Sequence, residues 1–166
     1  PDIICCAKGL TNATIPMGAT VVQDYIYESM LENADAPIEL FHGYTYSGHP
    51  VACAAALATL DIYRDEGLFD NAAKMAPLIE QAAHSLKGSK HVIDIRNLGV
   101  IAAIELEPRG NAVGARGFET MKKAWELGLM VRANGDTLAF SPPLIVNESQ
   151  VDEMFTKVKQ ALEQVE

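Results

Sequence analysis

The spacing of apolar positions changes several times along this chain, and each change marks an element. Residues 3–7, "IICCA", form a short continuous apolar run. Such runs belong to strands covered on both faces, as in parallel sheets. Pro16 and Gly18 punctuate the loop that follows, and "ATVVQ", 19–23, reads as a second short strand. "DYIYESML", 24–31, has the spacing of a short helix capped by Asp24. Residues 41–50, "FHGYTYSGHP", combine glycines, hydroxyls and aromatics in a loop. A helix then opens at Pro50, where a missing N–H is harmless, and stops at Gly67. Its alanines, from Ala52 to Ala58, allow close packing against a neighbour.

Leu68, Ala72, Met75, Ile79, Ala82, Ala83 and Leu86 recur at three- and four-residue intervals, which predicts a second helix running to Gly88. Pro77 should bend or break it. Beyond this point the pattern shortens. "HVIDIRNLGVIAAIELEP" reads as two strands around an "NLG" turn, in which Gly99 is free to take positive φ. "ARGFETMKKAWELG" reads as a helix ending at Gly128, and "LMVRANGDTLAFSPPLIV" as two short strands around "NGD". The closing helix follows Asn147, with Gln150 three residues on as a variant capping box. The shift from strand–loop–helix to a small α+β unit places a boundary within 64–75.

Composition narrows the function classes. The chain has 166 residues, 49% of them hydrophobic, and a net charge of −9. That charge argues against nucleic acid, whose phosphates need a basic face, and against an anionic membrane surface. Apolar stretches are too short to span a bilayer, and no signal peptide is visible. Cys5, Cys6 and Cys53 are an odd number without metal spacing, which reads as a reducing cytoplasm. The chain begins at Pro1 and enters a strand directly, which is expected of a piece of a longer protein.

Lys8 is the first candidate for chemistry. A lysine at a strand end is ordinarily solvated. Held near the carboxyl end of a buried strand it would be partly desolvated, and its neutral amine could form a Schiff base. Ligands of open α/β sheets sit at those strand ends. In the 41–50 loop, Thr45 with nearby N–H groups suits a phosphate at a helix start; equally, Thr45 and Ser47 could cap the following helix. Arg132 in "VRANGD" is either a solvated strand-edge arginine or a fork for a carboxylate. His42 and His49 read as loop packing or capping groups. No His/Cys/Asp spacing supports a metal, and no G-x-S-x-G elbow supports a hydrolase.

The segments "PDIICCAKGLTNATIPMGA", "FHGYTYSGHPVACAAALATLD", "LGVIAAIEL" and "GLMVRANGDTLAFSPPLIV" resemble, in order, landmarks of the class III (ω-) aminotransferases. These are fold-type I pyridoxal-phosphate (PLP) enzymes. "HGYTYSGHP" and "VRANGDTLAFSPP" are most similar to the β-alanine/amine:pyruvate branch. The resemblance implies an α/β fold: the end of a large PLP-binding domain over 1–68 and a small C-terminal α+β domain over 69–166. It implies Lys8 as the Schiff-base lysine, with Gly9 leaving room for the cofactor. It implies Tyr44 and Thr45 as cofactor contacts on a loop that crosses to the other subunit of a homodimer or larger assembly. Arg132 matches an arginine on a mobile loop that pairs with substrate carboxylates, with Gly135 supplying its freedom.

The implied reaction moves an amino group from an ω-amino acid or amine to a keto acid, with pyruvate expected. The family's partner for the pyridine nitrogen, its ring-stacking aromatic and its phosphate loop precede the lysine, so this chain is expected to hold half a site. Two alternatives stay open: another fold-type I enzyme, such as a decarboxylase or aminomutase, or an inactive chain serving only as a structural or dimerisation module.

Overall fold

The computed structural model describes residues 1–34, 40 and 44–166. These divide into two compact units, Pro1–Glu66 and Gly67–Glu166.

In the first unit, β1 (Ile3–Ala7) leads into a single 3-10 turn (Lys8–Leu10), and the chain reverses into β2 (Gly18–Val22). The two strands pair antiparallel, from Ile3 opposite Val22 to Ala7 opposite Gly18. The expectation of a strand covered on both faces is corrected here. Within this chain every residue of β1 is exposed, and β2 is its one strand partner among the described residues. Helix α1 (Asp24–Glu32) follows directly. Asp24 is its first helical residue and Gln23 stands at the cap position, so Asp24 contributes charge at the helix N-terminus and not a cap. Helix α2 (Pro50–Asp65) has Pro50 in its first turn.

The second unit is built around an antiparallel sheet in the order β3-β4-β6-β5. Strands β3 (Val92–Leu98) and β4 (Ile101–Leu106) form a hairpin whose Gly99 takes φ +56°. Strands β5 (Arg132–Asn134) and β6 (Thr137–Phe140) form the second hairpin, with Gly135 at φ +59°. Helices α3 (Leu68–His84), α4 (Ala115–Glu126) and α5 (Glu148–Glu163) supply the rest. Alternation along β4 sends Ala102, Ile104 and Leu106 into the core. They meet Leu138 and Phe140 of β6, Ile79 and Ala83 of α3, and Val151, Phe155 and Val158 of α5. The Phe140 and Phe155 rings lie 5.2 Å apart. On the other face, Arg96 pairs with Glu105 at 2.6 Å and with Asp94. This sheet is therefore buried on one side only, which antiparallel pairing permits.

Pro77 does not break α3, which runs through it to His84. Pro77 and Ala73, the residue whose carbonyl loses its partner, are both exposed. That carbonyl therefore lies on the solvent side, while the opposite face of the helix stays in the core. The capping box of α5 forms as expected, with Asn147 accepting from the Gln150 N–H and Gln150 accepting from the Asn147 N–H.

Ile79 is fully buried. Ile79→Ala is expected to destabilise the second unit by about 2–5 kcal/mol. Ile93→Ala, at an exposed position of β3, should change stability by no more than about 0.5 kcal/mol. Urea unfolding followed by circular dichroism measures both.

Candidate functional site

The turn after β1 is held in an uncommon conformation. Lys8, Asn12 and Ala13 have φ of +53°, +49° and +59°. A non-glycine residue there is strained by roughly 1–2 kcal/mol, and such strain persists where neighbours over-determine the backbone. They do so here. The Lys8 carbonyl accepts from the Thr11 and Ala13 N–H groups, both at 3.3 Å. Thr11 is almost fully buried and donates to the Ile15 carbonyl at 2.6 Å. From α2, the Tyr63 hydroxyl donates to the Gly9 carbonyl at 2.6 Å. A Cβ on Gly9 would lie 3.1 Å from that hydroxyl. Gly9 therefore makes room for Tyr63, a role its place in the sequence did not reveal. Lys8 itself is exposed, which corrects the expectation of a desolvated amine at a buried strand end.

Near the start of α2, a cavity of about 670 Å³ is lined by Ile15–Gly18, Thr45–His49 and Ala52. Thr45 thus belongs to this cavity, whereas Lys8 and Tyr44 are not among its lining residues. The cap of α2 is His49, whose Nδ1 accepts from the Ala52 N–H at 3.4 Å. Among the described residues no hydrogen bond engages the Thr45 hydroxyl, so the reading of Thr45 and Ser47 as the helix cap is not what forms. His42 lies outside the described residues.

Arg132 stands exposed at the start of β5, opposite Ala139 of β6. Directly before it, Val131 is buried in the core. At the other end of β5 the chain turns at Gly135 and Asp136. Asp136 is only 7% exposed. One carboxylate oxygen accepts from the Gly114 N–H at 2.6 Å, the other from the Gly117 N–H at 2.9 Å. Helix α4 has Gly114 at its cap position and no cap of its own, so Asp136 caps it from a distant hairpin. Its carbonyl also accepts from the Leu106 N–H at 2.9 Å. A Cβ on Gly117 would fall 2.3 Å from the Gly135 oxygen. Gly135 is thus packed against α4, and its positive φ serves the turn.

Burial pushes the Asp136 carboxyl up. The N–H groups of Gly114, Gly117 and Arg116, together with the Arg116 charge, more than offset that and hold it below the ordinary carboxylate value. Arg116 is itself buried, donating to the Glu166 carbonyl at 3.1 Å and to the Glu107 carbonyl. Among the described residues no group of three or more His, Cys, Asp or Glu is placed to hold a metal ion. No helix among them is long and apolar enough to cross a membrane.

A family model described as aminotransferase class-III matches residues 1–162, and the chain belongs to that family. It is 51% identical, over its whole length, to an omega-aminotransferase of Caulobacter vibrioides, of which it spans 38%. It is 43% identical to a beta-alanine–pyruvate aminotransferase of Pseudomonas aeruginosa, covering 98% of this chain and 37% of that protein. Among solved structures, a six-fold mutant of a thermostable omega transaminase from Pseudomonas jessenii superposes with a TM-score of 0.92. It is 36% identical and covers 99% of this chain and 38% of that one. An amine transaminase from an uncultivated Pseudomonas species, solved in its PLP-bound form, superposes at 0.88 with 36% identity. That match covers all of this chain and 39% of the other. The chain has the α/β architecture of a portion of the fold-type I PLP transferases, and the cofactor of its family is PLP.

Two residues have chemistry that fits parts of that cofactor, at separate places in the chain, since Lys8 does not line the cavity that Thr45 lines. Lys8 offers an accessible amine on a fixed backbone, and Thr45 offers a hydroxyl at a cavity by a helix N-terminus. Among the described residues, the cavity lining carries no carboxylate for the pyridine nitrogen.

The Asp136 carboxylate stabilises the fold only while ionised. Because its folded pKa is depressed, the contribution is complete above the ordinary 3.8 and lost as pH falls through the lower folded value. Asp136→Asn should cost about 1.5–3 kcal/mol at neutral pH. The gap from wild type should close below pH 3.8. Denaturant titrations across pH 2–7 test this.

Proposed function

We propose that the protein carrying this chain is a PLP-dependent aminotransferase that moves an amino group from an ω-amino acid or amine to a keto acid, with pyruvate as acceptor. The observation that carries the reading is the match to class-III aminotransferases over residues 1–162, with Lys8 on the strained turn that closes β1. The names of the relatives, an omega-aminotransferase and a beta-alanine–pyruvate aminotransferase, support the choice of donor and acceptor.

On this reading Lys8 Nζ attaches the cofactor covalently. When not bonded to the cofactor, the same nitrogen would take a proton from the carbon that bears the substrate nitrogen and, as an acid, give it back. When bound, the cofactor ring supplies the electron sink. The turn does its part by fixing the lysine backbone through the Thr11, Ala13 and Tyr63 hydrogen bonds, so that only the side chain need reorient. Thr45, with Tyr44 beside it, contacts the phosphate across the interface of a homodimer or larger assembly. Arg132 pairs with substrate carboxylates and turns back to water for uncharged amines. Its exposure and lack of an ion pair among the described residues suit that role. The three free thiols fit a cytoplasmic setting. Residues 1–68 would close the large cofactor-binding domain and 69–166 form the small one.

Borohydride reduction of the cofactor-loaded protein, followed by peptide mapping, should place the pyridoxyl group on Lys8. Label on another lysine overturns the assignment. Arg132→Ala should raise the KM for pyruvate and for amino-acid donors about 10- to 100-fold, the loss of a charged hydrogen bond of about 1.5–3 kcal/mol. Simple monoamines should react nearly unchanged in the first half-reaction, which single-turnover kinetics would show. Equal losses for both donor classes would make Arg132 structural.

A further inference from the structure

We propose that Asp136 is a positioning residue for substrate carboxylates: by fastening the β5–β6 turn to the first turn of α4 it fixes the backbone from which Arg132 reaches, and so sets the discrimination between carboxylate-bearing and uncharged substrates. The proposal rests on the reading of Arg132 as the carboxylate fork.

The argument begins with how little holds β5. It is three residues long and lies at the edge of the sheet, paired with β6 alone through Arg132–Ala139, Ala133–Leu138 and Asn134–Thr137. A strand so short, with one neighbour, frays unless its ends are tied. One end is tied by Val131, which is buried in the core. The other is tied by Asp136, through one oxygen to Gly114, the other to Gly117, and through its carbonyl to Leu106. The contact leaves no slack, since even a methyl group on Gly117 would collide with the Gly135 oxygen. Arg132 opens the strand that this turn closes, four residues before Asp136.

The consequence concerns what moves. With both ends of β5 tied, the arginine comes and goes by rotation of its own side chain, and the backbone stays put. Capturing a carboxylate then costs side-chain freedom only. With the Asp136 tie loosened, the strand also has to be ordered at each capture, and that cost falls solely on substrates that use the arginine. A monoamine that makes no contact with Arg132 does not feel it.

Asp136→Asn tests the idea, since it keeps volume but sets an amide donor against two N–H groups. In the cofactor-loaded protein the expected result is a KM for pyruvate raised about 3- to 10-fold with kcat retained, and single-turnover reaction with a monoamine unchanged. Hydrogen exchange at Asn134, which closes the hairpin opposite Thr137, reads the strand without catalysis and should speed up by at least the same factor. In an Arg132→Ala background the substitution should add nothing further to the pyruvate KM. Equal losses for monoamine and keto acid, an undiminished effect in the Arg132→Ala background, or unchanged exchange in β5 would each overturn the proposal while leaving the Arg132 reading intact. A pyruvate KM unaffected by Arg132→Ala alone would overturn that reading, and this proposal with it. Should Asp136→Asn not fold, Asp136→Ser, which retains one capping oxygen, serves for the same measurements.

Discussion

A single residue joins three elements of the second unit. Asp136 caps α4, closes the β5–β6 turn, and through its carbonyl meets the end of β4. None of these ends has a partner of its own kind to spare. Helix α4 begins at a glycine that has no side chain to cap with, and among the described residues β5 has no strand on its outer side. The buried charge is stable because it is answered by N–H groups that would otherwise be orphans of the helix start. Gly117 completes the arrangement by being small enough for the turn to rest on the helix backbone.

How much of this could be read from the sequence depended on the range of the interaction. The capping box of α5 involves Asn147 and Gln150, three residues apart, and the spacing announced it. The two turns around Gly99 and Gly135 were equally local. Asp136 was visible only as part of a turn, because its partners Gly114 and Gly117 lie about twenty residues away and give no capping signal themselves. Tyr63 was hidden for the same reason, since its hydroxyl meets Gly9 across fifty-four residues. Pro77 misled in the opposite sense. Its local effect is real, but its neighbours in α3 bury Ile79 and Ala83 against the sheet, and packing outweighs one lost hydrogen bond.

The apolar run at β1 taught something different. Continuous apolar sequence correctly marked a strand, but it speaks of surfaces that want covering, not of what covers them. In this chain Ile3 and Ile4 are about half exposed, and the chain spans less than two-fifths of its relatives' length. Of the segments that carried the family resemblance, one places Lys8 at the end of β1 and another places Arg132 in the β5–β6 hairpin.

The two proposed functional side chains are supported in the same physical way. Lys8 and Arg132 are both exposed, each on a backbone tied by groups outside its own element: the Tyr63 hydroxyl at the Lys8 turn, the Asp136 carboxylate at the Arg132 hairpin. A reaction that accepts two different substrates at one place needs side chains that can change partners. If the backbone moved as well, every change of partner would carry the entropy of reordering a segment, roughly 1–2 kcal/mol per residue. Tying the backbone and leaving the side chain loose confines the motion to a few rotatable bonds. It also explains why strain is tolerated at Lys8: a turn held from two sides can keep a lysine at positive φ, and the cost is borne once, on folding, instead of at every turnover.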